Sequence, residues 1–250
     1  MSEGRSRGGA LRLDCLGSGN AFSRGQYWNG FLLDGRVLLD CPPQTLAHLY
    51  RLGVSVDDIE LVLLSHEHTD HVLGMDPFLL DVIYSERGPR GRPLAIAGPP
   101  GIYDRLREIV GTSDRLPARD DPRIAWFECT DGARFEWAGV EVECVEVEHA
   151  PSLTSLGFRT RVGGRLVAYS GDTRMCDALD RLAEGADVLV VECGGGREYH
   201  HMGWGDVFAL REALPPATHM LVTHYDHRAA PDVSAVEGLA LAEDFGHYEY

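Results

Sequence analysis

Lysine is absent: all 23 basic residues are arginine, set against 39 acidic ones for a formal net charge of −16. A lysine-coated surface of the kind that grips a nucleic-acid backbone regardless of sequence is therefore excluded, and the acidic excess repels duplex DNA and anionic membranes. A small anionic substrate is not excluded, because a bound metal reverses the field locally. No C-x-x-C spacing occurs among the six cysteines (Cys15, Cys41, Cys129, Cys144, Cys176, Cys193), and a chain of 250 residues needs no disulfide stapling. They read as reduced core thiols. No run of about 18 apolar residues exists, which excludes a membrane-spanning helix. Residues 1–10 are polar and glycine-rich, and 11–16 are too short a stretch, interrupted by Arg12 and Asp14, for a signal-peptide core. A cytoplasmic location is expected.

With 44% hydrophobic residues, the chain has the interior of one globular domain spanning 1–250. Short apolar segments at 11–17, 30–34 and 36–40 predict strands, the last two joined by a tight Asp34-Gly35 turn. Leu46, Leu49 and Leu52 recur at helical spacing behind Pro42, predicting a helix over 42–52, and the continuous apolar run 59–64 suits a buried strand. A helix is predicted over 72–84 despite Pro77, a strand over 94–97, a helix over 102–110, and strands over 124–127, 140–147 and 156–162. The second half alternates likewise, with strands over 166–170, 188–191 and 220–223 and helices over 176–183, 206–214 and 233–242. No repeat is detectable in the residues themselves. Two such halves, each with a sheet face to cover, predict an α/β fold of two packed sheets with helices outside, a four-layer αββα sandwich.

The densest chemistry is Ser65-His66-Glu67-His68-Thr69-Asp70-His71, directly after the apolar run 59–64. At these residue frequencies, H-x-H-x-D-H arises by chance anywhere in the chain in about two cases per thousand. If the loop is extended, alternation turns His66, His68 and Asp70 to one side and His71 to the other, so the segment can serve two adjacent metals. Imidazole and carboxylate together suit zinc, with manganese and iron as alternatives. A polar loop that merely caps the following helix would leave a cluster of titratable groups without partners, at considerable cost.

This motif after a buried strand resembles the signature of the metallo-β-lactamase fold superfamily, whose architecture is the four-layer sandwich. The resemblance continues with His149 in Val147-Glu148-His149-Ala150-Pro151, Asp172 in Ser170-Gly171-Asp172-Thr173, and His224 in Leu221-Val222-Thr223-His224. It implies two divalent metal ions, Zn2+ first and Mn2+ or Fe2+ as alternatives. One is held by His66, His68 and His149, the other by Asp70, His71 and His224, with Asp172 shared. Asp40 resembles the superfamily's carboxylate that orients a ligand imidazole. His48, His219 and His247 read as ordinary helix, strand-start and tail residues.

Redox diiron members carry glutamate where this chain has His68, and the best-known zinc lactamases carry cysteine where it has Asp172, so neither branch fits. Leu16-Gly17-Ser18-Gly19-Asn20, Ala97-Gly98-Pro99-Pro100-Gly101, and Glu192 followed by His200-His201-Met202 resemble the ribonuclease Z and cyclic-nucleotide phosphodiesterase branch. Members of that branch cleave phosphodiesters, and a histidine after the Glu192-like position assists the leaving oxygen; His201 matches it better than His200. The implied activity is hydrolysis of a small phosphodiester or nucleotide by a metal-bridging hydroxide. Asp70 would orient the water and take its proton, and His201 would serve the leaving group. tRNA-processing members carry a long basic arm between the third histidine and the shared aspartate, whereas only 23 positions separate His149 from Asp172 here. RNA is therefore the less favoured substrate and a tRNA 3′ endonuclease the second reading. Hydrolysis of esters, thioesters or lactones, and a noncatalytic metal-binding partner protein, are the remaining ones. Cys41-Pro42-Pro43 and Tyr225-Asp226 depart from the branch's usual pattern. Tyr27, Trp28 and Trp204 are the aromatic candidates for stacking a base, and the resemblance is compatible with a homodimer.

Overall fold

The computed structural model describes residues 10–84, 91–110, 116–196 and 200–250; residues 1–9, which bear on a signal peptide, lie outside them. β1 (Arg12–Gly17), β2 (Gly30–Leu33), β3 (Val37–Leu39), β4 (Leu61–Leu63), β5 (Leu94–Gly98) and β6 (Ile124–Glu128) build a first sheet. β7 (Arg134–Trp137), β8 (Val140–Val147), β9 (Ser155–Val162), β10 (Arg165–Tyr169), β11 (Val188–Glu192), β12 (His219–Thr223) and β13 (Leu239–Leu241) build a second, and β14 (His247–Glu249) returns to the first. The orders are β14-β1-β2-β3-β4-β5-β6 and β13-β12-β11-β10-β9-β8-β7. Each sheet runs three antiparallel pairings and then three parallel ones. The halves thus repeat in topology without repeating in sequence.

Successive strand residues face opposite sides, so a strand covered on both faces is apolar throughout. Leu61 and Leu63 point to the core between the sheets, whereas Val62 and Leu64 pack outward against helices α1 (Thr45–Arg51), α3 (Met75–Tyr84) and α4 (Ile102–Val110). Val188 and Val190 likewise face inward, and Leu189 and Val191 meet α5 (Ala178–Ala183) and α6 (Trp204–Ala213). The four layers are helix, sheet, sheet, helix, as expected. No helix among the described residues is long and apolar enough to cross a membrane.

Three local expectations are corrected. The helix over 72–84 is broken into a single turn, α2 (Thr69–Val72), and α3. Gly74 separates them: its N–H donates to the Cys41 carbonyl at 2.9 Å, and a Cβ there would lie 2.1 Å from the Pro42 oxygen. Pro77 falls in the first turn of α3, where a missing N–H costs nothing. The helix over 233–242 does not form. Gly238 takes φ +71° and its carbonyl accepts from Met220 N at 2.8 Å, launching β13 parallel to β12. The open sheet edge overrides the helical spacing of Val233, Val236 and Leu239. The edge strands β7 and β14 were not predicted at all.

Candidate metal centre

The chemistry collects at the C-terminal ends of strands, where open α/β sheets place their sites. Asp40 follows β3, residues 65–71 follow β4, His149 follows β8, Asp172 follows β10, Glu192 ends β11 and His224 follows β12. The chain is extended only as far as His68 (φ −65°, ψ 145°) and then winds into α2. Asp70 Oδ2 meets His71 Nε2 at 3.6 Å and joins the donor group of His71 and His224, which corrects the expectation that Asp70 points with His66 and His68.

His68 Nδ1 lies 2.9 Å from His66 Nε2 and 3.2 Å from His149 Nε2, and Asp172 Oδ2 is 3.7 Å and 3.9 Å from those two Nε2 atoms. These four residues form one donor group. Asp70 Oδ2 lies 3.6 Å from His71 Nε2 and 3.7 Å from His224 Nε2, the second group. Asp172 Oδ2 stands 3.4 Å from both His71 Nε2 and His224 Nε2, between the two groups. Among the described residues, His71 Nε2, both His224 ring nitrogens and Asp172 Oδ1 are buried without a hydrogen-bond partner. Orphaned buried donors and acceptors are costly and uncommon. Nitrogens and carboxylate oxygens converging at this spacing fit divalent cations of the zinc class.

His71 and His149 are each held from behind. Asp40 Oδ2 accepts from His71 Nδ1 (2.7 Å), Ser65 Oγ (2.9 Å) and the Tyr169 hydroxyl (2.5 Å), and Oδ1 accepts from Ser65 N at 2.7 Å. That places the His71 proton on Nδ1 and frees Nε2 for coordination. His149 Nδ1 donates to the His200 carbonyl at 3.0 Å, so His200 contributes its backbone while the ring of His201 enters the site. Asp40 (φ 59°), His200 (φ 60°) and His224 (φ 53°) all adopt the left-handed region, a strained conformation that collects at functional sites.

His201 Nδ1 lies 2.7 Å from Glu192 Oε1, which also accepts from Thr173 N at 2.9 Å; Glu192 Oε2 accepts from Gly194 N. Burial pulls the His201 pKa down, but the Glu192 carboxylate outweighs it and pushes the imidazole up to about 8. Burial lowers His149 to about 4 and holds His66 well below its ordinary value, so both are neutral and available as ligands. Burial opposes ionisation of Asp172, yet His224 and His71 hold its carboxyl well below the usual range; His224 and His71 lower Asp70 likewise.

The aromatic candidates fare differently. Tyr27 packs edge-on against His48, with centroids 4.3 Å apart, and Trp204 packs against Tyr225 at 5.8 Å. Both are engaged in packing. Tyr225 is a buried strut whose hydroxyl donates to the Ala242 carbonyl at 2.8 Å. Phe22, on the loop from Phe22 to Asn29 that the resemblance puts at the mouth of the site, is 87% exposed, and Ser23 Oγ pins that loop to the Tyr225 carbonyl. His48, His219 and His247 stay outside the site, the first bonded to the Leu16 carbonyl and the last to Asp14. A cavity of about 370 Å³ opens beside His68, between Glu67, Asp104 and Ser152.

Fold and site together define the class: a protein of the metallo-β-lactamase fold, similar in part of its sequence to ribonuclease Z, carrying two adjoining His/Asp donor groups that could hold divalent cations. The chain belongs to the Anti-Pycsar protein Apyc1 family, which matches residues 11–248. Ribonuclease Z of Mycobacterium bovis is 32% identical over 162 residues, 61% of this chain and 58% of that protein. The match thus spans less than two thirds of the relative's length. The metallo-β-lactamase fold protein YhfI from Bacillus subtilis superposes with a TM-score of 0.75 at 20% identity, covering 96% of this chain and 99% of that one. A diphosphatase from the PhnP family gives 0.73 at 20% identity, covering 96% and 98%. At these identities the structural likeness carries the fold.

Proposed function

We propose that the protein hydrolyses small phosphodiesters or nucleotides with two divalent cations, one at His66, His68 and His149, the other at Asp70, His71 and His224, with Asp172 between them. When bound, the cations supply an acidified water and offset the charge of a phosphoryl group. Asp70 Oδ2, between His71 and His224, is placed to orient that water and accept its proton. His201 stands beside Asp172 and His224 and donates a proton to the departing alkoxide. The observation that carries the reading is the Glu192–His201 pair: a carboxylate 1% exposed supports an imidazolium at 2.7 Å on the edge of both donor groups. An acid so placed counts most where the leaving group is a poor one, as in an alkyl phosphodiester.

The ribonuclease Z relatives favour a second reading, cleavage of RNA. Two features support the smaller substrate: the absence of lysine, and the short β9–β10 hairpin, turning at Gly163 and Gly164, that fills most of the interval between His149 and Asp172. The test is hydrolysis of bis(p-nitrophenyl) phosphate, cyclic mononucleotides and a precursor tRNA by metal-loaded wild type and Asp70→Ala, with metal content measured on the same samples. We expect about two metals per chain, turnover of the small diesters, and a loss on the order of 10² to 10⁴ in the variant. A higher kcat/KM on precursor tRNA reverses the order of the two readings. Two bound metals without phosphodiester turnover overturns both in favour of carbon esters, thioesters or lactones.

A further inference from the structure

Beneath the donor groups runs a hydrogen-bond chain that reaches His71 through Thr223, Asn29, Tyr169 and Asp40, side chains to which the proposed chemistry gives no step. Thr223 Oγ1 donates to Asn29 Oδ1 (2.6 Å), Asn29 Nδ2 donates to the Tyr169 hydroxyl (2.6 Å), and that hydroxyl donates to Asp40 Oδ2 (2.5 Å), where His71 Nδ1 also donates. Every member is at most 2% exposed. Asn29, Asp40 and His71 belong to the first sheet and its loops, Tyr169 and Thr223 to the second, so the chain crosses the interface between sheets. It starts one residue before His224, passes three residues before Asp172, and ends on His71.

Its polarity is fixed. A carboxylate is an acceptor only, so the single proton of the Tyr169 hydroxyl must go to Asp40. That hydroxyl then accepts from the Asn29 amide nitrogen, which leaves the Asn29 oxygen to take the Thr223 proton. The His71 proton is held on Nδ1 by the same carboxylate. Tyr169 also packs edge-on near Phe31, with centroids 6.5 Å apart, in the apolar layer between the sheets. A phenylalanine there would keep that packing while removing the link.

We infer that Tyr169 is a positioning residue for the second cation: through Asp40 it sets the proton and angle of His71, and through Asn29 and Thr223 it ties that imidazole to the strand end carrying His224. The inference rests on the two-metal reading above. It predicts that the Asp70, His71 and His224 group depends on the Tyr169 hydroxyl far more than the other: His71 is bonded directly to Asp40, whereas His66 reaches it only through Ser65 Oγ, 3.0 Å from His66 Nδ1, and neither His68 nor His149 is bonded to the chain.

The experiment is equilibrium dialysis of the full-length protein against buffered Zn2+, with zinc per chain measured across a range of free concentrations. Asp70→Ala identifies which equivalent belongs to the second group. Tyr169→Phe is expected to shift that equivalent to roughly 10- to 100-fold higher free zinc and to move the other far less. The unfolding temperature of the metal-free protein should fall by only a few degrees, since Asn29 Nδ2 loses its acceptor while the packing against Phe31 is kept. Thr223→Val should share the shift, and Thr223→Ser, which keeps the hydroxyl, should restore wild-type uptake. Unchanged uptake by both Tyr169→Phe and Thr223→Val overturns the inference alone, as does equal weakening of both equivalents. A wild type that takes up no zinc overturns the two-metal reading and the inference with it.

Discussion

Glu192 and His201 act as one unit because a fully buried carboxylate and a half-buried imidazole stand 2.7 Å apart. With its pKa pushed up to about 8, His201 is protonated at neutral pH, as a general acid must be. The acid form is lost as pH rises through about 8, and the positive charge of bound cations moves that point lower. The rate should therefore fall along an alkaline limb at or below pH 8. Glu192→Gln removes the raising charge, so the limb should move toward and below the ordinary value near about 6.5. His201→Ala should reduce kcat by about 10² to 10⁴ for a diester with an alkoxide leaving group, and far less for one that expels p-nitrophenolate. pH–rate profiles with both substrate types check these outcomes; equal loss on the two substrates removes His201 from the leaving-group role.

The elements matter for how their ends meet. Gly171 joins β10 to Asp172 at φ +57°, and a Cβ there would lie 2.6 Å from the Ser65 Cβ, whose own hydroxyl Asp40 holds. Gly171→Ala must part these strand ends. We expect a destabilisation of about 1–3 kcal/mol and weakened metal uptake in both donor groups, read by thermal melting and metal analysis. The buried central strands were legible because helices cover one face and the other sheet covers the opposite one, forcing unbroken apolar runs. Three edge strands were not. β7 is Arg134-Phe135-Glu136-Trp137, four residues half in solvent, and β14 is three residues near the C-terminus. β13 was absorbed into a helical pattern, because its pairing with β12 depends on an edge 19 residues away in sequence.

For the whole molecule, the −16 charge is distributed over a surface rich in arginine–carboxylate pairs, such as Arg134–Glu143 at 2.8 Å and Arg36–Glu60 at 2.9 Å. The donor groups sit at the strand ends of both sheets. Since cations would bind only the folded form, each stabilises it by about 2.7 kcal/mol at one hundred times its Kd. Stripping the protein with a chelator should lower the unfolding temperature by roughly 5–10 °C for each cation removed, and zinc should restore it. Calorimetry of stripped and reloaded protein measures this; an unchanged unfolding temperature means that the donor groups hold no metal.

Local patterns determined the layers and the candidate ligands: apolar runs marked the covered strands, and His66, His68, Asp70 and His71 crowd into six positions where chance seldom puts them. His149, Asp172 and His224 were legible through their resemblance to a known family, since each alone is an ordinary residue. Tertiary structure decided what stands behind them. Asn29, Tyr169 and Thr223 carry no local signal, because a buried hydroxyl or amide is recognisable only by the partner it meets, here up to 194 positions away. It also decided that Asp70 groups with His71 and His224 instead of with His66 and His68, because the chain leaves its extended path at His68 and winds into α2. Spacing along the chain governs which residues are near in sequence; the joining of two sheets at their strand ends governs which proton goes where.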